Sequence, residues 1–167
     1  MNEQLKLYNI NPSYVDQLHN LDYRVEKHHG KHSKPYLGII LKINNIHYFV
    51  SLSSPKPKHK HMYESLTFVK ITNRSQLLSV LNINNMIPVP IGFYHKIDIN
   101  KISDLKYRDL LNAEQIACRK KARRIIKNAK LIHKFICYEP ERHKNINKFC
   151  CDFNKLEKYC RKISKEN

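Results

Sequence analysis

Apolar and polar residues follow two different rhythms along this chain, and the change falls near Asp104. Before it, apolar residues come in short alternating or continuous runs, the pattern of strands. After it they recur every three or four positions, the pattern of helices. Residues 5–9 predict a first strand. Asn11-Pro12 then starts a helix, because proline is favoured in the first turn and Asn or Ser caps it. Tyr14, Leu18, Leu21 and Val25 share one face of that helix. The polar stretch EKHHGKHSK follows, broken at Gly30. PYLGIILKINNIHYFVSLSS predicts a β-hairpin, with strands at 36–43 and 46–52 and a turn at Asn44-Asn45. Further strands are predicted at 66–71, 86–90 and 92–99, and Pro88 and Pro90 suit an edge or a bulge.

Between Asp104 and Pro140 there is neither Gly nor Pro. Cys118, Ala122, Ile125, Ala129, Ile132 and Ile136 form one apolar stripe, predicting a helix that runs unbroken over 118–136. Arg119, Lys120, Arg123, Lys127, Lys130 and Lys134 occupy the rest of its surface. A closing helix is predicted at 153–163, with Phe153, Leu156, Tyr159, Cys160 and Ile163 inward. The pattern predicts a single α+β domain over 1–167. Its core is a small, highly twisted antiparallel sheet or barrel-like core surrounded by helices, and its C-terminal third is helical.

Charge changes the picture from fold to partner. The chain carries 31 Lys and Arg against 14 Asp and Glu, a net charge of +17 over 167 residues. Such an excess points to a polyanion, with nucleic acid the default. On the basic helix, like charges four apart repel, and a polyanion relieves that cost. Arg119, Arg123, Lys127 and Lys130 are therefore candidate RNA-binding residues. The ten tyrosines offer stacking surfaces for unpaired bases, and Tyr14, Tyr23 and Tyr36, flanking the polar stretch, are the ones singled out. A membrane-surface role is disfavoured, because the helix lacks an aromatic-rich apolar face. The N-terminus has no signal-peptide h-region, and the five cysteines, without C-x-x-C spacing, read as reduced and mostly buried. The expected location is the cytoplasm.

The three isolated glycines exclude phosphate-binding Gly-rich loops, and the scattered acids offer no two-metal carboxylate cluster. No cofactor or metal is expected. His28, His29, His32, His59 and His61 have no cysteine or carboxylate spaced to complete a metal site, so they read as solvated or phosphate-facing. The stretch LSSPKPKHK, residues 52–60, is the candidate for chemistry. Cutting RNA without metal requires the 2′-hydroxyl to be deprotonated, the leaving 5′-oxygen to be protonated, and charge on the phosphorus oxygens to be stabilised. Lys56 and Lys34 can supply charge. Ser53 and Ser54 can donate hydrogen bonds to the non-bridging oxygens, and Lys58 can hold phosphate. Serine and proline at a strand end also form ordinary turns, so the motif alone leaves catalysis and mere binding both open.

The stretches KLYNINPSYVDQLHNLDYRV (6–25), KPYLGIILKINNIHYFVSLSSPK (34–56) and MIPVP (86–90), in this order and spacing, resemble the ToxN/AbiQ family. These are the endoribonuclease toxins of type III toxin–antitoxin systems. The resemblance implies a barrel-like twisted sheet related to the toxins MazF and Kid. It implies metal-independent cleavage at adenine-rich sites in cellular or phage RNA, leaving a 2′,3′-cyclic phosphate and a 5′-hydroxyl. It further implies a small, pseudoknotted repeat RNA as antitoxin, processed by the toxin and held with it in closed assemblies. By position it implies active-site roles for Tyr14, Lys34, Ser53, Ser54 and Lys56. Relatives carry a Tyr in the loop before the Lys. Here His28, His29 and His32 stand in its place, and an aromatic after SPK is replaced by PKHKH. The competing reading is a non-catalytic, basic RNA-binding protein.

Overall fold

Two asparagines set the centre of the fold. Asn44 and Asn45 adopt φ of 45° and 70°, the left-handed pair that a two-residue type I′ turn requires. They join β2 (Tyr36–Ile43) to β3 (Ile46–Ser51) in the hairpin that the sequence predicts. The computed structural model describes residues 4–27 and 34–167. In chain order, β1 (Lys6–Ile10) and α1 (Pro12–Leu21) precede that hairpin. After it come β4 (Phe68–Asn73), β5 (Gln76–Asn82), β6 (Ile87–Val89) and β7 (Tyr94–Lys96). The helices α2 (Leu105–Lys120), α3 (Ala122–Tyr138), α4 (Lys144–Asn147) and α5 (Phe153–Glu166) complete the chain.

The fold is α+β. A five-stranded antiparallel sheet has the order β6-β3-β2-β1-β7, and β4-β5 form a separate hairpin. An isolated bridge between Ser53 and Val80 ties the two sheets together just past the end of β3. Helices α3 and α5 pack on the larger sheet and α2 on the β4–β5 hairpin. One buried apolar cluster runs from Leu5 to Cys160. Glycine is required at position 38, where an added Cβ would lie 2.3 Å from Phe49 Cδ1. The Phe49 ring cannot retreat, because Tyr94 and Tyr8 pack on it with centroids 4.6 and 5.2 Å away. All five cysteines are free, and Cys118, Cys150, Cys151 and Cys160 are buried. Among the described residues, no helix is long and apolar enough to cross a membrane.

The structure departs from the sequence pattern in three places. The first helix stops at Leu21, and Val25 reaches the core from the turn that follows. Strand β5 has no counterpart in the predicted elements. Its sequence, QLLSVLN, does not alternate, because Ser79 is buried between Leu78 and Val80. The helix expected to run unbroken over 118–136 is two helices, broken at Lys121 with φ −101° and ψ 10°. No Gly or Pro is needed there, because the tertiary structure captures the Lys121 side chain. Its ammonium donates to Glu64 Oε1 and to the Lys70 carbonyl, both at 2.6 Å.

Candidate active site

The site begins with a carboxylate that sequence reasoning did not single out. Glu26 lies just after the turn that follows α1. Its Oε2 accepts hydrogen bonds from Ser51 Oγ at 2.7 Å and Ser53 Oγ at 2.9 Å. Its Oε1 receives the amides of Asn82 at 3.3 Å and Asn85 at 3.5 Å. The Lys34 ammonium stands 4.0 Å from Oε2. Burial would push this carboxyl's pKa up, but the two serine hydroxyls and Lys34 outweigh it, and the group is held below its ordinary value. The network draws on four separate stretches of chain, which is why no local motif marks it. The available signal was weaker: an acid directly preceding a polar, basic stretch in a chain poor in acids.

The loop after β3 is held in a defined path. Ser53 N–H donates to Val80 O at 3.0 Å, and Val80 N–H returns the bond to Ser53 O at 2.9 Å. The two adjacent serines are thereby separated. Ser53 is buried against Glu26, while Ser54 is exposed beyond the bridge. Residues Pro57–Lys60 form a single 3₁₀ turn. The Lys56 N–H donates to His59 Nδ1 at 2.8 Å, and the His59 N–H donates to Lys56 O at 2.9 Å. Lys56 and Lys58 remain exposed at the surface of this turn. Pro55, Lys56, Pro57 and Lys60 form one wall of a cleft of about 470 Å³, and Ser75, Gln76 and Leu77 form the other.

Several expected site residues have other roles. His59, expected to face phosphate, is buried and packs on Phe68. Desolvation, followed by the charges of Lys58, Lys56 and Lys70, lowers its pKa and keeps its ring neutral as the acceptor that closes the turn. Tyr14, expected as an RNA contact, is 1% exposed, and its hydroxyl donates to Pro88 O at 2.7 Å. It therefore joins α1 to β6 in the core and presents no ring face for stacking. Tyr36 is buried too, whereas Tyr23 is 79% exposed. Tyr23 sits beside Arg24, whose guanidinium lies 5.7 Å from its ring centroid. Arg24 is in turn fixed to Asp22 through contacts of 2.9 and 3.1 Å. His28, His29 and His32 lie outside the described residues.

A second basic region lies elsewhere on the molecule. Arg119, Arg123, Lys127 and Lys130, singled out from the helical pattern, line one groove of about 590 Å³. Its floor is apolar, from Leu5, Ala122, Ile126 and Leu131. Arg119 Nε also donates to Leu5 O at 3.0 Å, which fastens the end of α2 beside β1. Arg123, Lys127 and Lys130 are exposed. The structure thus brings the expected binding cations together, in a groove that shares no lining residue with the cleft at Lys56.

Known proteins resemble this chain along nearly its whole length. The family model described as "Toxin ToxN, type III toxin-antitoxin system" matches residues 6–161. The chain is 30% identical to the endoribonuclease ToxN of Bacillus thuringiensis subsp. kurstaki, over 97% of this chain and 86% of that one. It is 25% identical to the endoribonuclease AbiQ of Lactococcus lactis subsp. lactis, over 98% of this chain and 91% of the other. Among solved structures, it superposes with a TM-score of 0.88 and 31% identity on a chain from work on selective toxin inhibition by a non-coding RNA pseudoknot. That match covers 99% of this chain and 100% of the other.

Proposed function

The chain belongs to the ToxN family of type III toxin–antitoxin systems, and from that premise we propose that it is a metal-independent endoribonuclease toxin restrained by a small RNA. The observation that carries the proposal is the joining of a fixed hydrogen-bond network to an exposed cationic loop. Glu26 locks Ser51 and Ser53 and draws in Lys34, while the Ser53–Val80 bridge delivers Ser54 and Lys56 to the surface in a set geometry. A transition-state site needs such preorganisation, because donors that are already oriented cost nothing to arrange when charge develops.

In the proposed reaction the ribose 2′-oxygen attacks the adjacent phosphorus. The O2′–P bond forms, the P–O5′ bond breaks, the 2′-hydroxyl proton leaves and the departing 5′-oxygen gains one. The products are a 2′,3′-cyclic phosphate and a 5′-hydroxyl. Ser54 Oγ and the Lys56 ammonium act on the non-bridging oxygens, with Lys34 beside them. Ser53 keeps the loop seated, since its hydroxyl is already donated to Glu26. Glu26 acts through its neighbours as a positioning residue. Its oxygens are occupied by Ser51, Ser53, Asn82 and Asn85, which makes it a poor metal ligand and supports metal-free chemistry.

The proposal extends to partners. The substrate is adenine-rich cellular or phage RNA in the cytoplasm. The antitoxin is a pseudoknotted repeat RNA, cut from its precursor by the toxin and held with it in a closed assembly. Lys58, Arg123, Lys127 and Lys130 are proposed to hold phosphates. His28, His29 and His32 are proposed to serve the role of the tyrosine that relatives carry in that loop. The single apolar cluster supports treating the chain as one domain. The tie between the two sheets at Ser53–Val80 supports reading them as a barrel-like core of the MazF and Kid kind.

The test is cleavage of an adenine-rich RNA by wild-type protein and Ser54→Ala, each with EDTA and with Mg²⁺, beside their affinities for the same RNA. The expected result is wild-type cutting undiminished in EDTA, with Ser54→Ala binding RNA without cutting it. If Ser54→Ala cuts at the wild-type rate, the loop is a phosphate cradle and the protein a binding module.

A further inference from the structure

On the side of the sheet away from the Ser51–Ser53 network, three different donor atoms converge. His133 and Cys137 stand four residues apart on α3, a spacing that places both on one face. Glu157 faces them from α5. His133 Nε2 lies 2.6 Å from Glu157 Oε1 and 3.5 Å from Cys137 Sγ, and the three donor atoms all fall within 4.8 Å of one another. His133 and Glu157 are 3% and 6% exposed, and Cys137 is half-buried. We propose that His133 Nε2, Cys137 Sγ and Glu157 Oε1 form a binding site for a zinc-class divalent cation that clamps α5 to α3.

Three arguments carry this assignment beyond a buried polar contact. The first is valence. One imidazole nitrogen presents one proton or one lone pair, so it cannot make a full hydrogen bond to both a carboxylate and a sulfur. A cation can bind all three. The second is donor type. One sulfur, one imidazole and one carboxylate make a zinc set rather than a magnesium or calcium set. With a neutral imidazole, the thiolate and carboxylate carry two negative charges, matching a dication within a chain of net charge +17. The third is geometry. Usual Zn–N and Zn–S bond lengths at a tetrahedral angle place nitrogen and sulfur about 3.6 Å apart, and here they are 3.5 Å apart. The His133–Glu157 pair must open by about 0.8 Å on the same reckoning, a small side-chain rotation.

The surroundings are those of a supported site. Tyr48 Oη donates to Glu157 Oε1 at 2.5 Å, and Arg161 Nη1 stands 3.6 Å from Oε2, so the carboxylate is oriented from both sides. The His133 ring stacks on Phe153 at 5.9 Å and 12°, and Tyr48 meets it edge-on. Cys137 is the member of the set that is not fully buried. Because a thiol binds zinc as the thiolate, each ion bound displaces the Cys137 thiol proton. Tyr48 and Ser51 lie three residues apart along β3, so their side chains leave opposite faces. The ion therefore has a structural role, independent of the RNA chemistry proposed above.

The test uses the full chain, stripped with chelator and titrated with Co²⁺. One equivalent should produce a thiolate-to-cobalt charge-transfer band and the strong visible absorption of four-coordinate cobalt. Zn²⁺ should displace the cobalt, raise Tm and protect Cys137 from alkylation as followed by mass spectrometry. Cys137→Ser and His133→Asn should lose the band, while Cys151→Ser should keep it. If those variants fail to fold, the wild-type band and the alkylation protection decide alone. A wild-type protein with no thiolate band and unchanged Cys137 alkylation overturns the site, as does a band that persists in Cys137→Ser. RNA cleavage measured in parallel separates the two proposals. Cleavage lost with chelator and restored by Zn²⁺ together with Tm belongs to this clamp, whereas cleavage restored by Mg²⁺ at unchanged Tm would overturn the metal-free chemistry instead.

Discussion

The Lys56 loop and the α3 groove are both basic, yet they are built in opposite ways. At the loop, a carboxylate with filled hydrogen-bonding capacity holds two hydroxyls and a lysine, and a backbone bridge fixes the chain. At the groove, Arg123, Lys127 and Lys130 stand exposed around an apolar floor. Organised donors suit charge that appears at one point during a reaction. Unorganised cations suit a phosphate chain whose position is set elsewhere, and they act through released counterions. Charge alone therefore does not distinguish the two regions. What distinguishes them is the hydrogen-bond network that stands behind the loop and has no counterpart among the described residues of the groove.

The largest expected effect tests that distinction directly. Lys56→Ala should lower the RNA cleavage rate by about 10²–10³, the usual cost of losing one preorganised donor, with RNA affinity much less changed. A single-turnover rate beside a filter-binding constant separates the two, and an equal loss in both would erase the contrast.

Next in size is the groove. Replacing Arg123, Lys127 and Lys130 together by Ala should weaken RNA binding and flatten its salt dependence by roughly two units of slope, about 0.7 per contact on a single strand. The cleavage rate at saturating RNA should hold. An unchanged slope would show that these cations merely face solvent.

Third is the cost of the network itself. Glu26→Ala leaves the Ser51 and Ser53 hydroxyls without their acceptor and should cost about 1–3 kcal/mol of stability, read from urea unfolding. The pH dependence follows in sign. Because the folded pKa of Glu26 is depressed, its contribution is present above the ordinary carboxylate range and is lost as pH falls through the folded value. Wild type and Glu26→Ala should therefore converge in stability in acid, and a gap that is flat with pH would count against the ionised network.

The smallest effect is expected at Lys58, exposed on the 3₁₀ turn. Lys58→Ala should reduce affinity slightly and leave the rate at saturating RNA intact. A rate loss like that of Lys56→Ala would extend the organised region along the loop.

Local patterns made some of this legible in the sequence. The β2–β3 hairpin could be read because its turn depends on two adjacent residues, Asn44 and Asn45, that tolerate positive φ. The inward stripe of α3 could be read because Ile125, Ala129, Ile132 and Ile136 repeat with the helix. What escaped depends on distant partners. Glu26 acquires its meaning from Asn82 and Asn85, 56 and 59 residues away. The break at Lys121 comes from Glu64 and Lys70, across the fold. Tyr14 and Tyr23 look alike in sequence, yet Pro88 accepts the hydroxyl of one in the core while the other stands in solvent. The two serines of LSSPK look equivalent until Val80 pairs with the first of them.

The segment carrying Lys56 is pinned at both ends. Ser53 is joined to Val80 at its start, and Glu64 is gripped at its end by Lys121 and Arg124. Such a span behaves as an exchangeable cassette. Its exposed positions, Lys58 and Lys60 to Tyr63, can be rewritten without shifting the register of the strands on either side, whereas His59, buried on Phe68, holds the turn. On the function proposed above, RNA preference can then change by substitution within the span while the position of Ser54 is kept. Grafting the corresponding segment of a relative between Lys56 and Glu64, with His59 kept, should transfer that relative's cleavage-site preference and leave the melting temperature nearly unchanged.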